Sequence, residues 1–223
     1  MQYYSQDGQD EFIDKYIFSK KRKGFFVDIG ANDGIKYSNT YFFEKYRDWS
    51  GICFEPLPDI FYKLEKNRKS INIKACVSDN ENNSDFLAVS GYSEMLSGLI
   101  EKYNPIHLKR LQRELSEYGG KSNIIQVQCI RFDSVIKKYG VSKIDYLSID
   151  VEGNELNILK SIDFDLVSIE VISVENNYHD DELIKYVFNK GYNLKKIIGA
   201  DYIFVRKKLL QSLFFYFKRK WKK

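Results

Sequence analysis

Carboxylates stand at the ends of several apolar runs in this chain, and their spacing limits the chemistry open to it. Asp28 lies in Phe25-Phe-Val-Asp-Ile29, just before the glycine-bracketed turn Gly30-Ala-Asn-Asp-Gly34, and Glu55 closes Gly51-Ile-Cys-Phe-Glu55. The second acid follows the turn by about 20 residues, the usual distance in a nucleoside-binding βαβ unit. A glycine turn at a strand's carboxyl end lets a ligand approach the backbone. An acid on the next strand can then accept two hydrogen bonds from ribose hydroxyls. Further along, Asp150-Val-Glu-Gly-Asn-Glu155 follows the apolar run 144–149, and Ser173-Val-Glu-Asn-Asn177 ends the next one. Carboxylates gathered there could hold an ammonium group, orient an acceptor or take up its proton.

The turn lacks the G-x-G-x-x-G pattern of dinucleotide sites and the Gly-Lys-Ser/Thr ending of a P-loop. What remains is a nucleoside cofactor without a pyrophosphate, and S-adenosylmethionine (SAM) fits best. Five segments then resemble the FkbM family of SAM-dependent methyltransferases: Ser5-Gln-Asp-Gly-Gln-Asp10, Phe26-Val-Asp-Ile-Gly-Ala-Asn-Asp-Gly34, Ser38-Asn-Thr40, Trp49-Ser-Gly-Ile-Cys-Phe-Glu-Pro56 and Asp145-Tyr-Leu-Ser-Ile-Asp-Val-Glu-Gly-Asn-Glu155. The resemblance runs from about Tyr4 to Arg206. It implies a class I methyltransferase fold and O-methylation of a hydroxyl, often on a sugar or a secondary metabolite. Ser93-Glu-Met-Leu-Ser-Gly98 also resembles a family segment and would face the acceptor.

By that resemblance Asp28 orients the turn and reaches the cofactor's methionine amino group; the residues alone also fit an ordinary strand-to-helix turn. Gly30 and Gly34 permit the turn, Ala31 and Asn32 lie beside the cofactor, and Glu55 with Pro56 meets the ribose. Ser78 and Asp79 follow the run 71–77 and are placed for the adenine edge, although Asp before Asn is also plain turn chemistry. Asp150, Glu152 and Glu175 are the candidates for binding the cofactor ammonium and for removing the acceptor's proton. Glu155 equally suits a helix start near Asn154. Asp150 with Glu175 and Asn176 is similar to the Asp…Asp-Asn triad that holds magnesium in catechol O-methyltransferases, which makes Mg²⁺ a candidate cofactor. Without a metal, Glu175 would act alone as general base. His179 is another candidate base, a role imidazole side chains commonly fill, or an exposed residue of a helix-capping loop. His107 is expected to be solvated.

Strand and helix signals alternate as in an α/β domain. Strands are expected at 24–29, 51–55, 71–77, 144–149 and 167–174, then a hairpin of 194–198 with 202–206. This is a Rossmann-like, seven-stranded, mostly parallel sheet with an antiparallel C-terminal hairpin, the class I methyltransferase arrangement. Helices are expected at 10–20, 39–46, 58–68, 133–138, 154–161 and 180–190. A short extra strand is expected at 84–89 and extended chain at 124–132. Residues 90–123 hold Gly91, Gly98, Gly119, Gly120 and a charged helix at 106–118. They break the alternation and are expected to form a substrate cap within a methyltransferase domain spanning 1–206.

At 223 residues the chain suits one domain with a full core. Its net charge of +4 is uneven: 206–223 holds eight Lys/Arg and no acid, leaving 27 basic against 31 acidic residues elsewhere. A basic nucleic-acid groove on the body is therefore not indicated, and no nucleic-acid partner is expected. Cys53, Cys76 and Cys129 are odd in number and lack C-x-x-C spacing, which fits buried free thiols. Without a signal-peptide pattern or a membrane-length apolar stretch, a cytoplasmic location is expected. In the tail, 207–223, Leu209, Leu210, Leu213, Phe214, Phe217 and Trp221 recur at helical spacing beside five basic residues. That composition fits a helix lying on an anionic membrane surface, or one packed on the domain. The leading function is methyl transfer to a hydroxyl of a sugar, glycan or related metabolite. An N-methyltransferase of nucleic acid or protein would carry an Asn/Asp-Pro-Pro-Tyr/Phe-like motif where this chain has Asp150-Val-Glu-Gly153. A noncatalytic SAM-fold protein recruited to membranes is the remaining alternative, and Gly30, Gly34, Glu55 and Asp150 argue against it.

Overall fold

Apolar runs that can be covered on both faces set the layout. Lys143-Ile-Asp-Tyr-Leu-Ser-Ile149 is buried at every position after the first, as a central parallel strand must be. The computed structural model describes residues 1–207. The amphipathic segment expected at 209–221 lies outside the described residues. The strands are β1 (Phe25–Ile29), β2 (Ser50–Phe54), β3 (Ile71–Ile73), β4 (Cys76–Val77), β5 (Asn83–Ser90), β6 (Gly98–Leu99), β7 (Lys121–Ile130), β8 (Lys143–Ile149), β9 (Ser168–Glu175), β10 (Tyr192–Ile198) and β11 (Asp201–Arg206). The helices are α1 (Gln9–Phe12, continued by a π-helical turn, Ile13–Ile17), α2 (Tyr41–Arg47), α3 (Pro58–Asn67), α4 (Pro105–Tyr118), α5 (Phe132–Lys138), α6 (Glu155–Ser161) and α7 (Asp181–Asn189).

Seven strands form the main sheet in the order β10-β11-β9-β8-β1-β2-β3. From β9 to β3 all neighbours are parallel, while β11 runs antiparallel to both β9 and β10. This is the class I SAM-dependent methyltransferase fold. The strand order reverses between β1 and β8, where open α/β sheets leave a crevice at their carboxyl edge. One apolar layer packs Val27, Ile52, Leu147 and Ile172 against α5, α6 and α7. The opposite layer sets Phe26, Cys53, Tyr146 and Val171 against the π-helical turn, α2 and α3. Each fully buried Leu, Ile or Phe in these layers contributes about 1.5–3 kcal/mol.

One expectation is corrected. The run 71–77 is not one strand: β3 ends at Ile73, the chain turns at Lys74-Ala75, and β4 leaves the main sheet to pair in parallel with β7. The strand expected at 84–89 and the extended chain at 124–132 are both present, and they pair: β5 and β7 run antiparallel over eight positions from Asn83↔Gln128 to Ser90↔Lys121. These strands form a second sheet, β4-β7-β5-β6, and α4 lies in its connection. The start of β7, Lys121-Ser-Asn123, falls instead in the stretch expected to be cap, its polar side chains giving no strand signal.

Candidate active site

Register alone brings the acids together. Ile29, Phe54, Ile149 and Val174 are level across β1, β2, β8 and β9. Gly30, Glu55, Asp150 and Glu175 therefore leave the sheet side by side at its carboxyl edge. Gly30 has φ +88°, and a Cβ added there would fall on the Asp150 carbonyl oxygen. The glycine is needed because two backbones meet. The N–H groups of Gly30 and Ala31 both donate to the Phe54 carbonyl, at 3.1 and 2.9 Å. Asp28 is buried and accepts the Thr40 hydroxyl at 2.6 Å, with the Arg68 guanidinium 3.9 Å away. Burial raises its pKa and Arg68 opposes the rise. Asp28 thus anchors the turn to the start of α2, where Ser38 and Thr40 also accept from Arg68. Gly34, expected at the cofactor, packs with φ +82° against Arg68 and Leu64 and lines neither cavity described below.

A cavity of about 500 Å³ opens at the ends of β1 and β2 and beside β4, and is roofed by β5 and β7. Its walls are largely apolar, among them Ile29, Phe54, Ile60, Val77, Phe86 and Ile125, with Gly30, Asn32, Glu55 and Pro56 on its rim. Glu55 is only 6% exposed and accepts the Leu57 N–H at 2.8 Å. Burial pushes its carboxyl up to about 7, and the amides of Leu57 and Asn32 oppose that rise. Ser78 and Asp79 are corrected: neither lines this cavity. Because β4 swings into the second sheet, Cys76 and Val77 take that place. Ser78 is fully buried against Asp79, and Asp79 points outward to Lys102 at 3.3 Å.

A second cavity of about 540 Å³ lies over β1, β8 and β9, and Asp150 and Glu152 line both. Glu155 accepts the N–H groups of Val151 (3.3 Å) and Gly153 (2.9 Å), closing a tight turn in which Glu152 has φ +57°. Its role is thus to hold the loop that aims Glu152. Carboxylate oxygens of Asp150, Glu152 and Glu175 lie within 4.8 Å of one another. All three pKa values are raised, by burial first. Asp201 and then Glu155 add to the effect on Asp150, Asp150 adds to that on Glu152, and Asp150 and Glu152 add to that on Glu175. Oε2 of Glu152 is buried with no hydrogen-bond partner among the described residues. Its neighbours are His107 Nδ1 at 3.6 Å and Arg110 Nη1 at 3.9 Å.

Three expectations are resolved here. Asn176 accepts the Asp180 N–H at 2.7 Å and donates to the Asp180 carbonyl at 3.3 Å. Its amide closes the β9–α7 turn, so the expected magnesium set of Asp150, Glu175 and Asn176 is not assembled. His179 takes the second of its two expected places, an exposed residue of the loop before α7, with Nδ1 3.0 Å from the Tyr202 hydroxyl, and lines neither cavity. His107 is instead completely buried, stacked on Tyr103 with ring centroids 4.3 Å apart. Its Nε2 lies 3.2 Å from the Leu96 carbonyl and its Nδ1 2.9 Å from the Tyr178 hydroxyl. A nitrogen facing a carbonyl must carry the hydrogen, so Nδ1 accepts from Tyr178. Burial lowers the His107 pKa and favours this neutral form.

Other wall residues were not singled out from the sequence. Gln6, Asp7 and Gln9 line the second cavity. Gln9 donates to Asp201 at 2.6 Å, and Ser173 donates to the same carboxylate at 2.9 Å, clamping the N-terminal segment over the sheet edge. The only forward signal was the motif 5–10, whose role the residues do not reveal. Lys36, Arg110 and Glu114 also reach this wall.

Comparison with known proteins places the chain in a family. A sequence model of the methyltransferase FkbM domain matches residues 28–194. The chain is 24% identical over 204 residues to Methyltransferase 1 of Beauveria bassiana, covering 82% of this chain and 80% of that protein. It is 28% identical over 159 residues to methyltransferase sdnD of Sordaria araneosa, covering 62% and 60%. Among solved structures it is similar to the methyltransferase FkbM of Methylobacillus flagellatus KT, with a TM-score of 0.48 and 12% identity, covering 82% of this chain and 43% of that one.

Proposed function

The chain belongs to the FkbM methyltransferase family, and from that premise we propose that it methylates a hydroxyl oxygen of a neutral sugar, glycan or related metabolite with SAM as donor. One observation carries the reading: an apolar cavity and a polar one meet at Asp150 and Glu152. The apolar cavity suits an adenosine, with Glu55 toward the ribose hydroxyls and Val77 and Phe86 against the base. When bound, SAM supplies a methyl group that an oxygen can displace in line from its sulfur. Asp150 faces the cofactor's positive end. Glu152, with a buried oxygen that lacks a partner, takes the acceptor's proton. The walls supply alignment, which is most of what displacement at an already activated methyl needs.

In the second cavity Asp7, Asp28, Glu94, Glu114, Asp150, Glu152, Glu175 and Asp201 face, among the described residues, only Lys36 and Arg110 as basic residues. That balance supports an uncharged acceptor over a phosphorylated sugar or a nucleic acid. Neutral sugars and their phosphorylated counterparts, incubated with methyl-labelled SAM, test this directly. Alkali-stable ether label on neutral sugars is expected. Label on phosphorylated acceptors alone, or on nitrogen, overturns it. We assign the carboxylates to the cofactor's charge rather than to Mg²⁺, so metal-stripped enzyme should keep its rate in EDTA. The tail from Leu209 onward would bring the enzyme to a lipid-carried acceptor. Deleting 209–223 should abolish binding to anionic vesicles and spare SAM binding; undiminished vesicle binding would refute that part. No helix among the described residues is long and apolar enough to cross a membrane.

A further inference from the structure

We propose that Asp150, Glu152 and Glu175 form an anionic socket that recognises the single positive charge by which SAM differs from S-adenosylhomocysteine. The proposal rests on placing methyl transfer at the junction of the two cavities. Three elements deliver the carboxylates: the end of β8, the loop after it and the end of β9. Register and the Glu155-closed turn leave their oxygens within 4.8 Å of one another.

The surrounding groups do not neutralise them. On α4, Arg110 donates to Glu114 at 2.9 Å and reaches Glu152 only at 3.9 Å. His107, on the same helix, has both ring nitrogens occupied by Leu96 and Tyr178, and Tyr178 is an uncharged phenol. On α6, Glu155 is held by backbone amides, and at the start of β11 Asp201 is held by Gln9 and Ser173. Arg68 is committed to Glu44 and faces Asp28, and Lys36 reaches Glu94 at 3.4 Å. The described residues therefore give three clustered acids, at most, part of one arginine.

A second observation points the same way. Glu152 is 9% exposed, its Oε2 has no hydrogen-bond partner, and it lines both cavities. A buried carboxylate oxygen on a cavity wall lacks a partner that a cation in the cavity would supply. The reaction then removes that cation. The acceptor oxygen bonds to the methyl carbon, the carbon–sulfur pair stays on sulfur, and the acceptor's proton moves to Glu152. A neutral thioether faces a socket that held a sulfonium, which favours release of product over retention.

Calorimetry on the full chain tests this with SAM, S-adenosylhomocysteine and sinefungin, which carries an amine in place of the methylated sulfur. SAM and sinefungin should bind at least tenfold more tightly than S-adenosylhomocysteine. Glu175→Gln and Glu152→Gln should each shrink that ratio at least fivefold while S-adenosylhomocysteine affinity stays within twofold. If a Gln variant fails to fold, the wild-type comparison of the three ligands decides alone. Equal affinity for all three, or a ratio unchanged in both variants, would overturn the socket. If none of the three binds to folded wild type, the cofactor site itself is misassigned and the socket falls with it.

Discussion

The two cavities are nearly equal in size, about 500 and 540 Å³, yet they are built by opposite means. The first takes its floor from short consecutive stretches at the ends of β1 and β2 and around β4, and its walls are mostly carbon. The second draws on the N-terminal loop, the segment before α2, residues 91–96 and α4, both sides of the β8 loop, the end of β9 and the β10–β11 turn, and it carries eight acids. The first can hold a ligand by shape and buried apolar area, the second by charge. A donor lying across both is gripped at one end by what the reaction leaves unchanged and at the other by what it consumes.

The strongest way to break this division is at the shared wall. Gly30→Ala places a Cβ on the Asp150 carbonyl at φ +88° and should cost about 3 kcal/mol or more. Thermal unfolding should show the loss, and SAM binding should disappear with it. Wild-type behaviour would mean the cavities do not depend on that contact. Next, Glu55→Gln should weaken SAM and S-adenosylhomocysteine equally, by about 10- to 100-fold, as expected for losing hydrogen bonds to a charged group. Calorimetry showing unequal losses would erase the contrast with the socket acids.

His107→Ala should destabilise the fold by about 2 kcal/mol, through two lost hydrogen bonds and a void beside Tyr103. Because the change removes none of the socket carboxylates, SAM affinity should stay within about twofold while the acceptor's KM rises. A SAM affinity that falls as steeply as KM rises would mean that His107 also positions Glu152 for the donor. A smaller effect comes from pH. With the Glu55 carboxyl held up to about 7, its ionised form is lost below that, so SAM affinity should fall about tenfold between pH 8 and 6, and less in Glu55→Gln. Stability of the empty protein has the opposite sign. A carboxyl raised from 4.5 contributes fully below that value and loses its contribution as pH rises through about 7, so Tm should fall across this window and fall less in the variant. Last, Asp79→Ala should change stability and SAM affinity by less than about 0.5 kcal/mol, since its side chain is exposed beside Lys102.

The apolar lobe could be located in advance because its rim is local in sequence. Gly30, Asn32, Glu55 and Pro56 each follow directly from a strand end. Asp79 failed for a tertiary reason: Lys74-Ala75 carries no glycine or proline, and nothing local signals that β4 will choose β7 over β2. His107 was misplaced because its burial depends on Leu96, Tyr103 and Tyr178, which the fold gathers from separate segments. Asn176 suits a metal or a turn equally well as a residue type. The Asp180 backbone, four residues away, settles it for the turn. The seven strands were legible from alternating apolar runs, and so were the two extended segments of the β5–β7 ribbon. Their pairing into a second sheet was not, because nothing in either segment names its partner.

One small detail of the β1 turn has a consequence for competition among ligands. Adenine circulates in cells chiefly on phosphorylated carriers, and glycine turns at helix starts commonly bind them by offering free amide hydrogens. Here the hydrogens of Gly30 and Ala31 are already given to Phe54. A triphosphate seated at this turn would meet spent donors and, just beyond, a row of carboxylates. Adenine nucleotides should therefore compete poorly for a pocket whose shape would otherwise welcome their base.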